Sequence, residues 1–273
     1  MTERVTVSSL QAMKRDGRKI VAVVAWDYQI ARISERAGVE IVSVGDSVGV
    51  NLWGQRGPLE VTMEQMLVVC QAVRRAVQRA LVSVDIPFGP VQEGTASAVA
   101  AAVKMAKEAG ADLVKIDAAA DFPDVVTAVA RAGIPVWAQF GVTPQTALRH
   151  GIEYGSLFTA GALVPARLRD ALVADAKLLQ EAGASLLDFT NSGPVVGPEV
   201  AKAVSIPVLG GAGGGPWLDG RVRMAHAAIG YAASGLDEEP DTYANVARIT
   251  LDALSSYAAD VRSGRQIKGG VRA

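Results

Sequence analysis

The stretch that decides the fold is TASAVAAAVKMAKEAGADLVKID, residues 95–117. Its Ala-rich opening carries polar residues at helical spacing and ends on Ala109-Gly110, where glycine takes the left-handed conformation that closes a helix. The apolar run ADLVKID follows at once, too short for a further helix, and reads as a buried strand. The same junction recurs at Ala37-Gly38, Ala132-Gly133 and Ala182-Gly183. Working outward, strands are predicted at KIVAVVAWD, VEIVSVGD, RALVSVD, ADLVKID, IPVWAQF, ASLLDFT and IPVLGG, with a weaker eighth near MAHAAIGYAAS. Helices YQIARISERAG and TMEQMLVVCQAVRRAVQ stand between early strands, and TYANVARITLDALSSYAADVRSG reads as a final amphipathic helix. This βαβα alternation predicts an α/β fold with a parallel sheet, as a closed (β/α)8 TIM barrel or a doubly wound open sheet. Eight strands favour the barrel, as a single domain over residues 1–273.

The 273 residues are half hydrophobic and carry a formal net charge of −1, with no long basic run, which argues against a nucleic-acid partner. The polar N-terminus MTERVTVSSLQAMKRDGRK has no apolar core of a secretory signal, and no stretch is long enough to span a membrane. Cys70 is the one cysteine, expected to be buried helix packing, so no internal disulfide forms and a cytoplasmic protein is expected.

Polar residues collect at the C-terminal ends of successive strands: Trp26-Asp27, Asp46-Ser47, Asp85, Lys115 with Asp117, Gln139, and Thr190-Asn191. In a parallel barrel these ends converge on the face that carries active sites. Any one aspartate there has a competing role as the cap of the next helix. Several acids on one rim repel one another and call for a cation. Asp46, Asp85 and Asp117 offer only oxygen, which suits Mg²⁺, with Mn²⁺ or Co²⁺ as substitutes, and disfavours zinc. His150 and His226 lack metal-ligand spacing. Lys115 lies two residues from Asp117 on one strand, so both face the same side and the ammonium can hold a substrate carboxylate. GGAGGG, residues 210–215, is a candidate anion cradle without the spacing of a nucleotide motif, and Trp53 and Trp217 are placed in rim loops.

The motifs MKRDGRKIVAVVAWD, VGDSVG, LEVTMEQM, DIPFGP, LVKID, AQFGVTPQ, LDGRV and YAADVRSG, in this order over nearly the whole chain, resemble the ketopantoate hydroxymethyltransferase family. The resemblance implies a (β/α)8 barrel of the phosphoenolpyruvate mutase type. It further implies Mg²⁺ held by two aspartates, a 2-oxo acid substrate activated as an enolate, and methylenetetrahydrofolate as the one-carbon donor. By matching position, Asp46 and Asp85 hold the metal, Ser47 and Lys115 the oxo-acid carboxylate, and Asp117 replaces a glutamate near the metal. Gln139 stands for a histidine and Trp26 for a tyrosine, both lining the substrate. The family's basic glutamate falls on Thr190 or Asn191, so this chain is a divergent member without it. Asp188, two residues before Thr190, points the same way one layer deeper and is a candidate to supply the base or a metal contact; a structural hydrogen bond to a neighbouring strand is the competing role. The catalytic candidates are therefore Asp188, Thr190, Asn191 and Lys115. Three functions stand open: a hydroxymethyltransferase or aldolase, a C–C lyase, decarboxylase or mutase of the phosphoenolpyruvate mutase and isocitrate lyase superfamily, and a non-catalytic barrel. The resemblance also implies a dimer-based homo-oligomer, up to a decamer.

Overall fold

In the computed structural model the described residues are 3–159, 162–237 and 241–269. The chain divides into two compact units, residues 1–223 and 224–273. In the first, helix α1 (Val7–Arg15) precedes β1 (Ile20–Val24), and α2 (Tyr28–Arg36) leads to β2 (Ile41–Val44). Helices α3 (Val48–Trp53) and α4 (Met63–Ala76) lead to β3 (Leu81–Asp85), α5 (Thr95–Lys104) to β4 (Leu113–Ile116), and α6 (Pro123–Arg131) to β5 (Val136–Gly141). A long segment of short 3₁₀ turns then reaches α7 (Arg169–Glu181), followed by β6 (Leu186–Thr190), α8 (Gly193–Ala203), β7 (Val208–Gly210) and β8 (Gly220–Met224). The strands close into one barrel in sequence order, every recorded pair parallel. The open-sheet alternative is excluded.

Helix starts and stops follow local chemistry. Thr6 and Thr62 form capping boxes with Ser9 and Gln65. The glycines at the four Ala-Gly junctions, Gly38, Gly110, Gly133 and Gly183, all have positive φ, as the junctions predict. Strands β2, β3, β4 and β6 are buried along their whole length, which is why they read as unbroken apolar runs. Cys70 is buried in α4, and burial pushes its thiol up to about 12.

The eighth strand is the correction. It is GRVRM, residues 220–224, whereas the start of MAHAAIGYAAS forms the short helix α9 (Ala225–Ala228). Arg221 and Arg223 interrupt any apolar run, so the strand carries no hydrophobic signature. Its first residue is a steric requirement: a Cβ on Gly220 would overlap the carbonyl oxygen of Ile20 on β1, where the barrel closes. Gly220→Ala is expected to cost about 3 kcal/mol by overpacking, read as a lower thermal midpoint. An unchanged midpoint would show that the seam yields.

In the second unit the expected C-terminal helix forms as α10 (Val246–Arg262), capped by the Asn245 side chain, which accepts from the Arg248 amide at 2.9 Å. Of its residues only Ala247 is buried, and Leu254, Tyr257 and Val261 are exposed along one stripe. No helix among the described residues is long and apolar enough to cross a membrane.

Candidate active site

The C-terminal rim of the barrel gathers buried charge. Asp46, Asp85, Lys115, Asp117, Gln139, Asp188, Thr190 and Asn191 are all buried, on or directly after β2 to β6. Register explains the convergence, since Asp85 is level with Lys115, Lys115 with Trp137, and Gln139 with Asp188. Period-two alternation then puts Trp137 with Gln139, and Asp188 with Thr190, on the inner face. Phe140, directly after Gln139, and Phe189, between Asp188 and Thr190, stack on each other at 4.7 Å on the opposite face.

Two aspartates are tied by the backbone: the Asp46 amide donates to Asp85 Oδ2 at 3.2 Å. Gly45 permits this turn, since a Cβ there would come within 3.0 Å of Ser47 Oγ and of Val24. Ser47 precedes α3 without capping it through its side chain, and its backbone N–H supports the Asp46 carboxylate. Asp117 Oδ2 accepts the Gln145 amide at 3.2 Å and a further bond from Thr143, while Gln145 Nε2 donates to Asp46 Oδ2 at 3.0 Å. Burial pushes Asp46 up to about 6, relieved in part by Gln145, and Asp117 up to about 6. Burial pushes Asp85 furthest, to about 7, with Lys115 acting against the rise and Asp46 adding to it. Asp85 Oδ1 and Asp117 Oδ1 are buried without a hydrogen-bond partner. Such groups are expensive to leave unpaired.

Lys115 is the inner cation. Its Nζ lies 2.8 Å from Asp188 Oδ2, 4.0 Å from Asp85 Oδ1 and 5.4 Å from the centre of the Trp137 ring. Burial opposes its charge, but Asp188 and Asp85 outweigh burial and hold it as an ammonium. Asp188 is held through Oδ2 by a lysine two strands away, on β4, rather than by a neighbouring strand, while its Oδ1 has no hydrogen-bond partner.

Other candidates take quieter places. Asp27 caps α2, accepting from the Ile30 amide at 2.9 Å, so this rim acid has the cap role. Trp26 is buried after β1. Gln139 Nε2 donates to Thr190 Oγ1 at 2.8 Å, a neutral pair. Asn191 has φ 58° and ties three segments together: Nδ2 donates to the Val142 carbonyl at 3.1 Å, its amide to Ala212 at 2.7 Å, and its carbonyl accepts from Val164 at 2.9 Å. The glycine cluster is filled rather than open. Cβ atoms on Gly213 and Gly215 would overlap Leu163 and Asn191, and the Trp217 ring, respectively. Trp217 packs there and donates to Ser192 Oγ at 3.1 Å, whereas Trp53 is exposed at the end of α3. His226 stacks edge-on against Tyr231 in the second unit, and the His150 side chain lies outside the described residues.

Three site residues escaped the sequence reading. Thr143 and Gln145 lie inside GVTPQ, an irregular stretch with no period to say which side chain turns inward. Tyr154 comes from the irregular segment after β5; burial, then Asp46 and Asp85, push its phenol up, which places it within electrostatic reach of the cluster.

The donor set suits a hard divalent ion. Asp46, Asp85, Asp117 and Asp188 face one lysine, two oxygens of the upper three acids lack partners, and burial penalises their charge. Among the described residues no three His, Cys, Asp or Glu side chains form a ready-made cage. A hard divalent ion that takes few protein ligands is compatible with so few donors.

The family model for ketopantoate hydroxymethyltransferase matches residues 4–266. The 3-methyl-2-oxobutanoate hydroxymethyltransferase of Salinibacter ruber is 36% identical over 262 residues, covering 95% of each chain. That of Moorella thermoacetica is 36% identical over 265 residues, covering 96% of this chain and 95% of its own. Among solved structures, phosphonopyruvate hydrolase, in complex with oxalate and Mg²⁺, superposes with TM-score 0.60 at 15% identity, over 96% of this chain and 88% of that one. The 2,3-dimethylmalate lyase of the PEP mutase/isocitrate lyase superfamily gives TM-score 0.60 at 16% identity, over 85% and 84%. These two show a shared barrel, and the family match over nearly the full length shows more: the chain belongs to the ketopantoate hydroxymethyltransferase family.

Proposed function

We propose that this protein is a divalent-cation-dependent enzyme that makes or breaks a carbon–carbon bond next to the carbonyl of a 2-oxo acid, hydroxymethyl transfer being the leading reaction. One observation carries the reading: Asp46 and Asp85 are buried and tied together, and Asp85 Oδ1 is left without a hydrogen-bond partner beside an ammonium at the barrel rim. Asp46 and Asp85 would hold Mg²⁺, or Mn²⁺ or Co²⁺, with Asp117 behind them. The ion supplies Lewis-acid polarisation of the 2-oxo group.

Every other part falls to the chain. Ser47 and Lys115 bind the substrate carboxylate, and Gln145 and Thr143 fix the orientation of Asp46 and Asp117. Trp26 and the Gln139–Thr190 pair line the substrate, with Asn191 holding the end of β6 in place. Asp188 takes the proton from C3 through Oδ1, since its other oxygen is anchored by Lys115. Water frees formaldehyde from methylenetetrahydrofolate, the donor to test, by cleavage of its two C–N bonds; the electron pair left at C3 then attacks that carbon, its C=O π bond opens, and the alkoxide takes up a proton to give the hydroxymethyl group.

A second reading has its own support. The Gln139–Thr190 pair cannot accept a proton, as suits cleavage or decarboxylation, which needs no proton taken from C3. Incubation with Mg²⁺ and a panel of 2-oxo acids, with and without methylenetetrahydrofolate, separates the two by mass spectrometry. Gain of a hydroxymethyl group on 3-methyl-2-oxobutanoate is the expected result. Aldehyde or carbon dioxide release without it replaces transfer by the second reading, and no product from any acid overturns both. A cytoplasmic homo-oligomer built from dimers completes the proposal, supported by the exposed apolar stripe of α10.

A further inference from the structure

Lys115 is shared unequally between two acids. Asp188 Oδ2 holds its Nζ at 2.8 Å, and Asp85 Oδ1 lies 4.0 Å away. That same Asp85 oxygen is buried and has no hydrogen-bond partner, while Asp85 Oδ2 is occupied by the Asp46 amide. Oδ1 is therefore the atom with which Asp85 can meet a cation, and also the atom nearest the ammonium. Both lysine and aspartate are buried, so water screens little of their attraction. A small movement of the flexible lysine stem would close the contact.

We propose that Asp188 is a positioning residue that withholds Lys115 from Asp85 and so keeps Asp85 Oδ1 open to the divalent ion. Its place supports this: it stands on β6, across β5 from Lys115 on β4, and draws the ammonium over the face of Trp137, away from β3. The ammonium thereby stays at the rim to meet a carboxylate without competing for the cation site. Asp188 acts here through Lys115, separately from any contact with substrate. The inference rests on the reading of Asp46 and Asp85 as cation ligands and deepens it.

Mn²⁺ binding to the full-length protein, followed through the free-ion electron paramagnetic resonance signal, tests this without turnover. Asp188→Asn, nearly isosteric, should weaken Mn²⁺ by about tenfold or more, and Asp188→Glu should restore much of it. Removal of negative charge alone would also weaken binding, so the decisive comparison adds Lys115→Gln. Positioning predicts that Lys115→Gln strengthens Mn²⁺ binding about tenfold more in the Asp188→Asn background than in the wild type. Equal gains in both backgrounds, or wild-type affinity in Asp188→Asn, overturn the inference. A crystal structure of cation-free Asp188→Asn checks the same point without a second substitution: Lys115 on Asp85 supports it, and Lys115 still standing off overturns it. Wild-type protein that binds no Mn²⁺ overturns the cation site itself, and this inference with it.

Discussion

Asp85→Asn should lower kcat/KM by about 10³-fold or more while leaving the cation-free protein at least as stable as the wild type at pH 8. The activity loss follows from position: Asp85 carries an unpartnered buried oxygen and is bonded to the other proposed ligand. An asparagine still accepts the Asp46 amide through its carbonyl oxygen, so the turn after β2 survives. The stability half is the stronger discriminator. Burial pushes Asp85 up to about 7, so its charge opposes folding when no cation is bound, and a neutral side chain removes that cost. A structural aspartate would behave the opposite way, with stability and activity falling together. Kinetics beside thermal melts in chelator decide it.

The second large effect is a pH-dependent stabilisation by the cation. The folded chain holds Asp46 and Asp117 at about 6 and Asp85 at about 7, above the unfolded value of about 3.9. For groups raised on folding, their contribution to stability is fully present below about pH 4 and is lost as pH rises through 6 to 7. A divalent ion binds the ionised acids and reverses that loss. At a hundred times its Kd the ion adds about 2.7 kcal/mol, roughly 5–10 °C in thermal midpoint for a chain of this size. The full shift is expected at pH 8, and little of it at pH 5, where the acids hold protons. Equal shifts at both pH values would place the bound ion elsewhere.

How much of this was legible in the sequence depends on what kind of segment carried it. Helices and buried strands announce themselves through periodicity, so seven strands and their junction glycines were readable, and β8 was hidden only because Arg221 and Arg223 break its apolar run. Strand ends inherit that legibility. Counting residues along strands places Asp46, Asp85, Lys115 and Asp117 at one rim and Asp188 one layer deeper. Three-dimensional pairing was not readable. The bond from Lys115 to Asp188 joins non-adjacent strands, a contact that no spacing along one strand specifies. Thr143, Gln145 and Tyr154 sit on irregular backbone, where no period says which side chain turns inward. The glycine cluster misled for a related reason: glycine marks close approach, and here what approaches is Trp217, Leu163 and Asn191 rather than a ligand.

The most direct test of the central claim is proton exchange at C3. With 3-methyl-2-oxobutanoate in deuterium oxide, the wild-type protein should exchange the C3 proton when Mg²⁺ is present, stop when the ion is chelated, and fail in Asp85→Asn, all followed by proton NMR. Exchange that continues at the same rate in chelator or in Asp85→Asn would contradict the account.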